Sequence, residues 1–553
     1  MRALDPDIGR AVALVVDGNP SSRGVLTQML KDCGVGNVVQ GLHAHEARRL
    51  LEHRRFDIVL CEYHFDNEPM TGLEVIDDLR QASLLPLSTV VVMISSEAAY
   101  GHVAEAAEAA LDAYVIKPHT EAALRDRLMQ ARQRKRTMAD IFALVDAEKF
   151  EEAAELAQTR AELRGPAWVH AARVAAELWL RLKRPSDAVR MLEAIMQTGA
   201  LPWARLGLAR AHVEAGAVFQ ARRTLESLLG DHPGYADAYD VMGRVLLDQG
   251  ENWKAIEALK RATELTPNSI SRLVKLGLLI FYFGDPREAA THLEQAVRLG
   301  VNSRVFDLQG LVLLAALQFD RGDRRGLALS FTTMKRMRAE APKSPRLRRF
   351  EAAIGILNSL AQRRVPEAVL QLNEMLAESM APDFEFEAAC NLLIVLSRVE
   401  RAELHMPELA DHVVRVAERF AVSRTTTDLL CGSLRGDLEI TTRIRDAYAK
   451  VGEVAERAVS LTVERKPRES VLLLLEHAQR TLNAKLTDMA IHTVERHKAA
   501  IEGADALLTQ AMDLRDRYAS YGTQVRLARI DDARSMVAAS RTTPPTVPGP
   551  AKS

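Results

Sequence analysis

A 34-residue period in the middle of the chain restricts its fold more than any other feature. Gly243 and Gly277 lie 34 apart, and so do Ala255 and Ala289, Leu259 and Leu293, and Ala262 and Ala296. Upstream, Ala221 precedes Ala255, Leu225 precedes Leu259 and Pro233 precedes Pro267 by the same interval. A period of this length is the mark of stacked structural repeats rather than of one closed core. Composition agrees with helix as the building material, since aromatics make up only 5% of the 553 residues while Ala, Leu, Arg and Glu abound.

The period resembles the tetratricopeptide repeat, which implies two antiparallel helices per unit. Small residues would let the paired helices approach closely, large ones would fill between them, and each proline would end a second helix. Residues 236–269 and 270–303 are the clearest units, and 202–235 follows with Ala209 in place of the glycine. Residues 168–200 and a leading piece around Phe150-Glu151-Glu152-Ala153 fit with a short slip, while 304–342 and 347–381 are degenerate. Such a stack implies a concave groove of the kind that takes a peptide or a partner helix; the alternative is a stack that only spaces two other parts. Its first helices are expected to present Arg205, His212, Tyr239, Arg244, Lys275 and Phe281, a cationic and aromatic set suited to an acidic or amphipathic segment. Tyr239 has the alternative of packing between helices. Replacing Arg205, Arg244 and Lys275 with Glu is expected to abolish binding and leave the fold intact.

The first 136 residues follow a different pattern. Apolar segments at 11–16, 37–40, 58–61, 89–94 and 113–116 read as strands, separated by helices at about 21–32, 45–53 and 72–81 and closed by one from about 120. Strands alternating with helices imply a parallel sheet covered on both faces. The third strand ends at Cys61-Glu62-Tyr63, before a loop that closes on Pro69-Met70-Thr71-Gly72. Ligands of open α/β sheets sit just outside the strands' carboxyl ends, which puts Glu62 where such a domain keeps its chemistry.

Val15-Val16-Asp17-Gly18-Asn19, then Glu62, then Ser95 after Val-Val-Met-Ile, then Tyr114 and Lys117-Pro118 stand in order on these strand ends. On these residues the segment resembles the receiver domain of two-component response regulators, with the flavodoxin-like strand order, over about a quarter of the chain. The resemblance implies a pocket of Asp17, Ser95 and Lys117, with Glu62 at the phospho-acceptor position and Tyr114 as the switch aromatic. Two departures bear on function. The family has an acidic pair after the first strand, where Asp17 is here followed by Gly18, and its acceptor is Asp rather than Glu. A receiver carboxylate attacks a phosphoryl group whose oxygens are neutralised by a divalent cation, and Mg²⁺ demands near-ideal carboxylate geometry. Gly18 weakens that Mg²⁺ site, and the longer Glu62 displaces the nucleophile, where an ångström costs roughly a hundredfold. Ordinary phosphotransfer is not expected. Two readings stay open: Glu62 pairs with Lys117 and Ser95 to hold an active-like state, or it pairs with Lys117 in a domain that no longer switches.

Other candidates read as structural. Asp66 is a loop acid, His43, His45 and His53 have no metal spacing, and Cys61 is a packing residue in a buried strand. The run Arg132-Gln133-Arg134-Lys135-Arg136 reads as a solvated helix end. Cys33, Cys61, Cys390 and Cys431 are scattered, as in a reduced cytosolic protein. A formal net charge of −1 gives no pull toward nucleic acid. The apolar runs 90–94 and 471–475 are too short for a bilayer, and Asp5 and Asp7 break any signal peptide. Residues 383–537 are helical without the period, 424–427 and 432–436 read as loops, and the tail after Arg541 is too poor in apolar residues to order. No phosphate-cradling glycine loop, zinc cluster or nucleophile elbow is present.

The expected organisation is a receiver-like domain at 1–136, tetratricopeptide-type helices at 137–382, a helical region at 383–537 and a disordered tail at 538–553. The expected function is that of a cytoplasmic, non-enzymatic phosphorelay adaptor. It would bind proteins through the repeat groove and the receiver face, without nucleic acid, membrane or cofactor. The alternatives are a response regulator switched by phosphate from a histidine kinase and an enzyme housed in the C-terminal helices.

Overall fold

The computed structural model describes residues 7–66, 68–96, 111–165, 167–197, 201–402, 408–434 and 438–519. At the N-terminus β1 (Val12–Val16), β2 (Asn37–Gly41), β3 (Ile58–Glu62), β4 (Val90–Ser95) and β5 (Ala113–Ile116) form a parallel sheet in the order β2-β1-β3-β4-β5. Every residue of β3 and β4 is buried, as parallel strands covered on both faces require. These two strands run one residue past their apolar segments because the ladder continues, pairing Glu62 with Ile94 and Ser95 with Ile116. Four described helices belong to this domain: α1 (Pro20–Asp32), α2 (Ala44–His53), α3 (Gly72–Gln81) and α4 (Glu121–Arg136). Leu26 and Leu30 of α1 and Leu124 and Leu128 of α4 pack with Ile58, Leu60, Val92 and Ile94 in one core. Their starts are set by side-chain caps, Asn19 on α1, Thr71 with Glu74 in a reciprocal box on α3, and Thr120 on α4.

Helix pairs follow in the expected succession. Trp168–Arg181 precedes Pro185–Met196, Pro202–Glu214 precedes Val218–Asp231, Ala236–Asp248 precedes Asn252–Leu265, and Ile270–Phe283 precedes Pro286–Gly300. Gln309–Asp320 with Arg324–Glu340 and Pro345–Ala361 with Val365–Ala377 continue the series. The periodic positions are its interior: Ala221, Leu225, Ala255, Leu259, Ala262, Ala289, Leu293 and Ala296 are all buried. A Cβ at Gly243 would stand 2.9 Å from Leu259 Cγ, and one at Gly277 2.7 Å from Leu293 Cγ. The glycines recur because a leucine of the second helix presses on the first helix at that point.

The described residues fall into two compact units. The first takes the sheet domain and the helices up to Leu273, with Arg298–Phe306; the second takes Val274–Val297 and the helices from 307 onward. The second unit ends in helices that include Leu438–Val463, Pro467–Thr481, Ala484–His497 and Ala504–Leu514, packed through Val451, Leu474, Leu486, Ile491 and Val494. One expectation fails here. Arg424, Thr425, Thr426, Thr427 and Gly432 belong to a helix, Arg424–Leu434, not to loops. Its threonines look loop-forming, yet Thr426 Oγ1 accepts the Ser423 amide at 3.0 Å and Thr427 Oγ1 donates to the Ser423 carbonyl at 2.8 Å, which starts the helix. A Cβ on Gly432 would lie 2.6 Å from the Tyr282 carbonyl oxygen, so its glycine marks close packing. Gly436 and the tail expected to be disordered lie outside the described residues. No helix among the described residues is long and apolar enough to cross a membrane.

Candidate functional site

The sheet register brings distant residues together at its carboxyl edge. Val16 pairs with Cys61, so Asp17 and Glu62 follow side by side. Ser95 pairs with Ile116, and the Lys117 amide donates to the Ser95 carbonyl at 2.7 Å, which sets Lys117 beside them. Lys117 Nζ donates to Asp17 Oδ2 at 2.9 Å and to Glu62 Oε2 in a shorter contact. Ser95 is buried at the end of β4, and Tyr114 is half-buried on β5 opposite Met93. The Lys117–Pro118 bond is cis.

The three charges are not equivalent. Burial pushes the Glu62 carboxyl above its ordinary range, the Asp17 charge adds to that, and Lys117 offsets part of it. Burial also opposes the charge on Asp17, but hydrogen bonds from Ser22, Lys117 and the Asn19 amide outweigh it and hold this carboxyl low. Lys117 is raised, because Glu62 and Asp17 together outweigh the burial of its ammonium. Asp17 is the anchored acid and Glu62 the one that takes a proton first. Sequence reasoning missed Ser22, whose hydroxyl donates to Asp17 Oδ2 at 2.6 Å, and Arg23, which donates to the Asp17 carbonyl at 2.7 Å. The available signal was the Asn19 cap, since a helix starting at Pro20 returns Ser22 and Arg23 to the strand end.

The donor set does not fit Mg²⁺. Asp17 Oδ2 is shared by Ser22 and Lys117, and Oδ1 accepts the Asn19 amide at 2.8 Å with one lone pair left, so Asp17 offers a hard cation one oxygen position where it needs several. Gly18 supplies no carboxylate. No group of three or more acids, histidines or cysteines is arranged for a metal among the described residues. His43 pairs with Glu68 at 2.6 Å and stacks on His45 at 5.3 Å. Asp66 is exposed, and burial raises the Cys61 thiol, leaving it inert.

The basic run at the end of α4 is not a solvated end. Arg134 donates to the Asp112 carbonyl at 2.6 Å, and Lys135 donates to the Leu87 carbonyl at 2.5 Å and pairs with Asp112 at 3.3 Å. Burial brings the Lys135 ammonium down to about 8.

The side chains expected to line the groove are differently disposed. Phe281 is 1% exposed, because Ile270–Phe283 is apolar on nearly every side over its second half and is covered there; it lines no groove. Arg205 pairs with Asp231, and Arg244 with Glu214 at 2.7 Å. Burial lowers the His212 imidazole, Tyr239 bonds Arg261, and Lys275 is half-buried. Reversing Arg205 and Arg244 would therefore set carboxylate against carboxylate at Asp231 and Glu214, a cost the expectation of an indifferent fold did not count.

A second charge cluster forms on α3. Arg272, 1% exposed, donates to Asp77 at 2.9 Å, to Asp240 at 2.9 Å and to Thr266 at 2.7 Å, and also contacts Asp237. Burial pushes Asp77 up to about 7, Asp237, Asp78 and Asp240 add to it, and Arg272 opposes it. A carboxyl raised on folding stabilises fully below its unfolded value of 3.8, and that contribution is lost as pH rises through about 7. Asp77→Asn is therefore expected to gain on the wild type between about pH 4 and pH 7 and to be the more stable protein at pH 8. Urea midpoints across that range measure it; a wild type more stable than the variant at pH 8 would mean that the bond to Arg272 outweighs the burial of the charge.

Two known families match separate segments of this chain. Residues 13–129 match the response regulator receiver domain, and residues 180–245 match the tetratricopeptide repeat. The chemotaxis protein CheY-3 of Vibrio cholerae is 29% identical over 118 residues, which cover 21% of this chain and 86% of that protein. The chemotaxis protein CheY of Pseudomonas aeruginosa is 27% identical over 115 residues, 21% of this chain and 90% of its own. Among solved structures, a CheY-like receiver domain protein from Methanospirillum hungatei covers 23% of this chain and 97% of its own, with 20% identity and a TM-score of 0.21. A response regulator protein from Burkholderia pseudomallei with a phosphorylated aspartic acid, a calcium ion and citrate covers 30% and 91%, with 22% identity and a TM-score of 0.19. Residues 13–129 are a response regulator receiver domain, and tetratricopeptide repeats follow it in the chain. A receiver domain indicates two-component signalling, and the repeats suggest protein interaction.

Proposed function

We propose that this protein is a phosphorelay-type adaptor whose receiver domain works without phosphate while its repeats hold a protein partner. The supporting observation is the saturation of the pocket: one ammonium, Lys117, bridges Glu62 and Asp17, and both Asp17 oxygens are already bonded. A phosphoryl group arriving there finds a cation position without a second carboxylate, at Gly18, and a nucleophile tied to the lysine. On this reading the receiver is degenerate, its work is docking, and no enzymatic step is assigned to any part of the chain. The same reading places the protein in the cytoplasm, where its free cysteines stay reduced.

Incubation of the full chain with radiolabelled acetyl phosphate and Mg²⁺ is expected to leave it unlabelled. Label at Glu62 that disappears in Glu62→Gln would establish the alternative, a phosphorylation-switched regulator. Gly18→Asp combined with Glu62→Asp is expected to raise labelling from background toward one group per chain. A Cβ at Gly18 meets only the Leu42 carbonyl, at 3.6 Å, an ordinary contact.

A further inference from the structure

Two turns of the repeats carry the same dipeptide 34 residues apart, Asn268-Ser269 and Asn302-Ser303. Each grips a carboxylate of the receiver domain. Asp78 on α3 accepts the Ser269 hydroxyl at 2.6 Å and the Ile270 amide at 2.9 Å. Glu52 on α2 accepts the Ser303 hydroxyl at 2.5 Å and the Arg304 amide at 3.1 Å. In both places a serine hydroxyl and the next backbone amide close on one buried carboxylate. At Asp78 the amide belongs to the first turn of a helix, where N–H groups lack partners and favour negative charge. Buried carboxylates stripped of such donors are costly, so these contacts hold the receiver against its own repeats.

The grip reaches the strand-end pocket. The side-chain amide of Asn268 donates to the Pro69 carbonyl, and its backbone amide donates to Glu74 Oε1 at 2.8 Å. Glu74 in turn accepts the Thr71 amide at 2.8 Å, and the Gly72 amide donates to the Tyr63 carbonyl at 2.8 Å, one residue beyond Glu62. We propose that the α2–α3 face of the receiver domain is a cis-docking surface occupied by this chain's own repeats. We further propose that the segment 68–72 couples those repeats to the Glu62–Lys117 pair in both directions. The coupling goes beyond the adaptor reading, because it holds whether or not Glu62 accepts phosphate.

Hydrogen–deuterium exchange of the full chain tests it. Asn268→Ala with Ser269→Ala removes the two side-chain bonds of the grip, to the Pro69 carbonyl and to Asp78, and leaves the backbone amides of 268 and 270 in place; amides of 68–72 are expected to exchange about tenfold faster, as loss of one or two hydrogen bonds predicts. Coupling between sites is reciprocal, so Glu62→Gln is expected to change exchange at 268–272. Faster exchange confined to 268–272 in the first variant, or an effect of Glu62→Gln confined to the receiver, would overturn the coupling. Should the double alanine variant unfold, the isosteric Asp78→Asn takes its place with the same expected result at 68–72, and unchanged exchange there would overturn the proposal.

Discussion

Lys117→Met is expected to destabilise the first compact unit by about 3–5 kcal/mol at neutral pH, the usual cost of removing one partner from a buried ion pair. The side chains of Asp17 and Glu62 are 2% and 9% exposed and share this one ammonium. Without it two carboxylates face each other at the strand ends with little water to separate them. Glu62 gives way first, since burial and the Asp17 charge already raise it while Asp17 is held low by Ser22 and Asn19. The sign of the pH dependence follows. With the lysine gone, the Glu62 carboxyl rises further, so the deficit is full above its new value and shrinks as pH falls through it. Glu62→Gln on the Lys117→Met background is expected to recover most of the loss. Urea unfolding of the single and double variants at two pH values measures both effects. A Lys117→Met protein as stable as the wild type would show that solvent, not the lysine, neutralises the pocket.

Gly72→Ala is expected to cost roughly 1–3 kcal/mol or more, although alanine ordinarily favours a helix. A Cβ at position 72 would stand 2.1 Å from the Glu62 carbonyl oxygen and 2.8 Å from Cys61 Sγ. The obstacle is backbone in the last residue of a fully buried strand, so it cannot rotate aside as a side chain would. Either α3 moves off the sheet, or the end of β3 shifts and carries Glu62 away from Lys117. Gly18→Ala is the matched control, with only an ordinary contact at 3.6 Å to the Leu42 carbonyl, and is expected to stay within about 0.5 kcal/mol of the wild type. Thermal unfolding of the two variants compares them directly; equal melting temperatures would rule out the close approach of α3 to β3.

The apolar pattern carried most of the architecture. The strands read at 58–61 and 89–94 were legible, to within a residue of the observed 58–62 and 90–95, because parallel strands bury both faces and so read as unbroken apolar runs. The repeats were legible because Leu259 and Leu293 need Gly243 and Gly277 opposite them, which writes the packing into the spacing. Strand ends also named the pocket, since parallel strands deliver their carboxyl ends to one edge and the structure sets Asp17, Glu62 and Lys117 there in contact. What the sequence concealed was the fate of individual charges and of one aromatic. Phe281 looked like a groove residue because its helix was assumed to show one face to solvent, and it is buried. Arg205 and Arg244 looked available because Asp231 and Glu214, their partners, lie 26 and 30 residues away.

By itself, then, the sequence determined most of the elements, the repeat and the residues at the strand ends, because burial of apolar surface leaves a local period that can be counted, while the order of the sheet was implied by the resemblance to receiver domains. Only the tertiary structure decided which charges leave water. Glu52, Asp77 and Asp78 sit on helices whose polar positions resemble any solvated face. Glu52 and Asp78 are buried and Asp77 largely so, because Ser303, Ser269 and Arg272, between 191 and 251 residues further along, meet them there. The cost of desolvating a charge is met or not by donors brought in from elsewhere in the fold, and no window of the chain around an acid records where those donors will be.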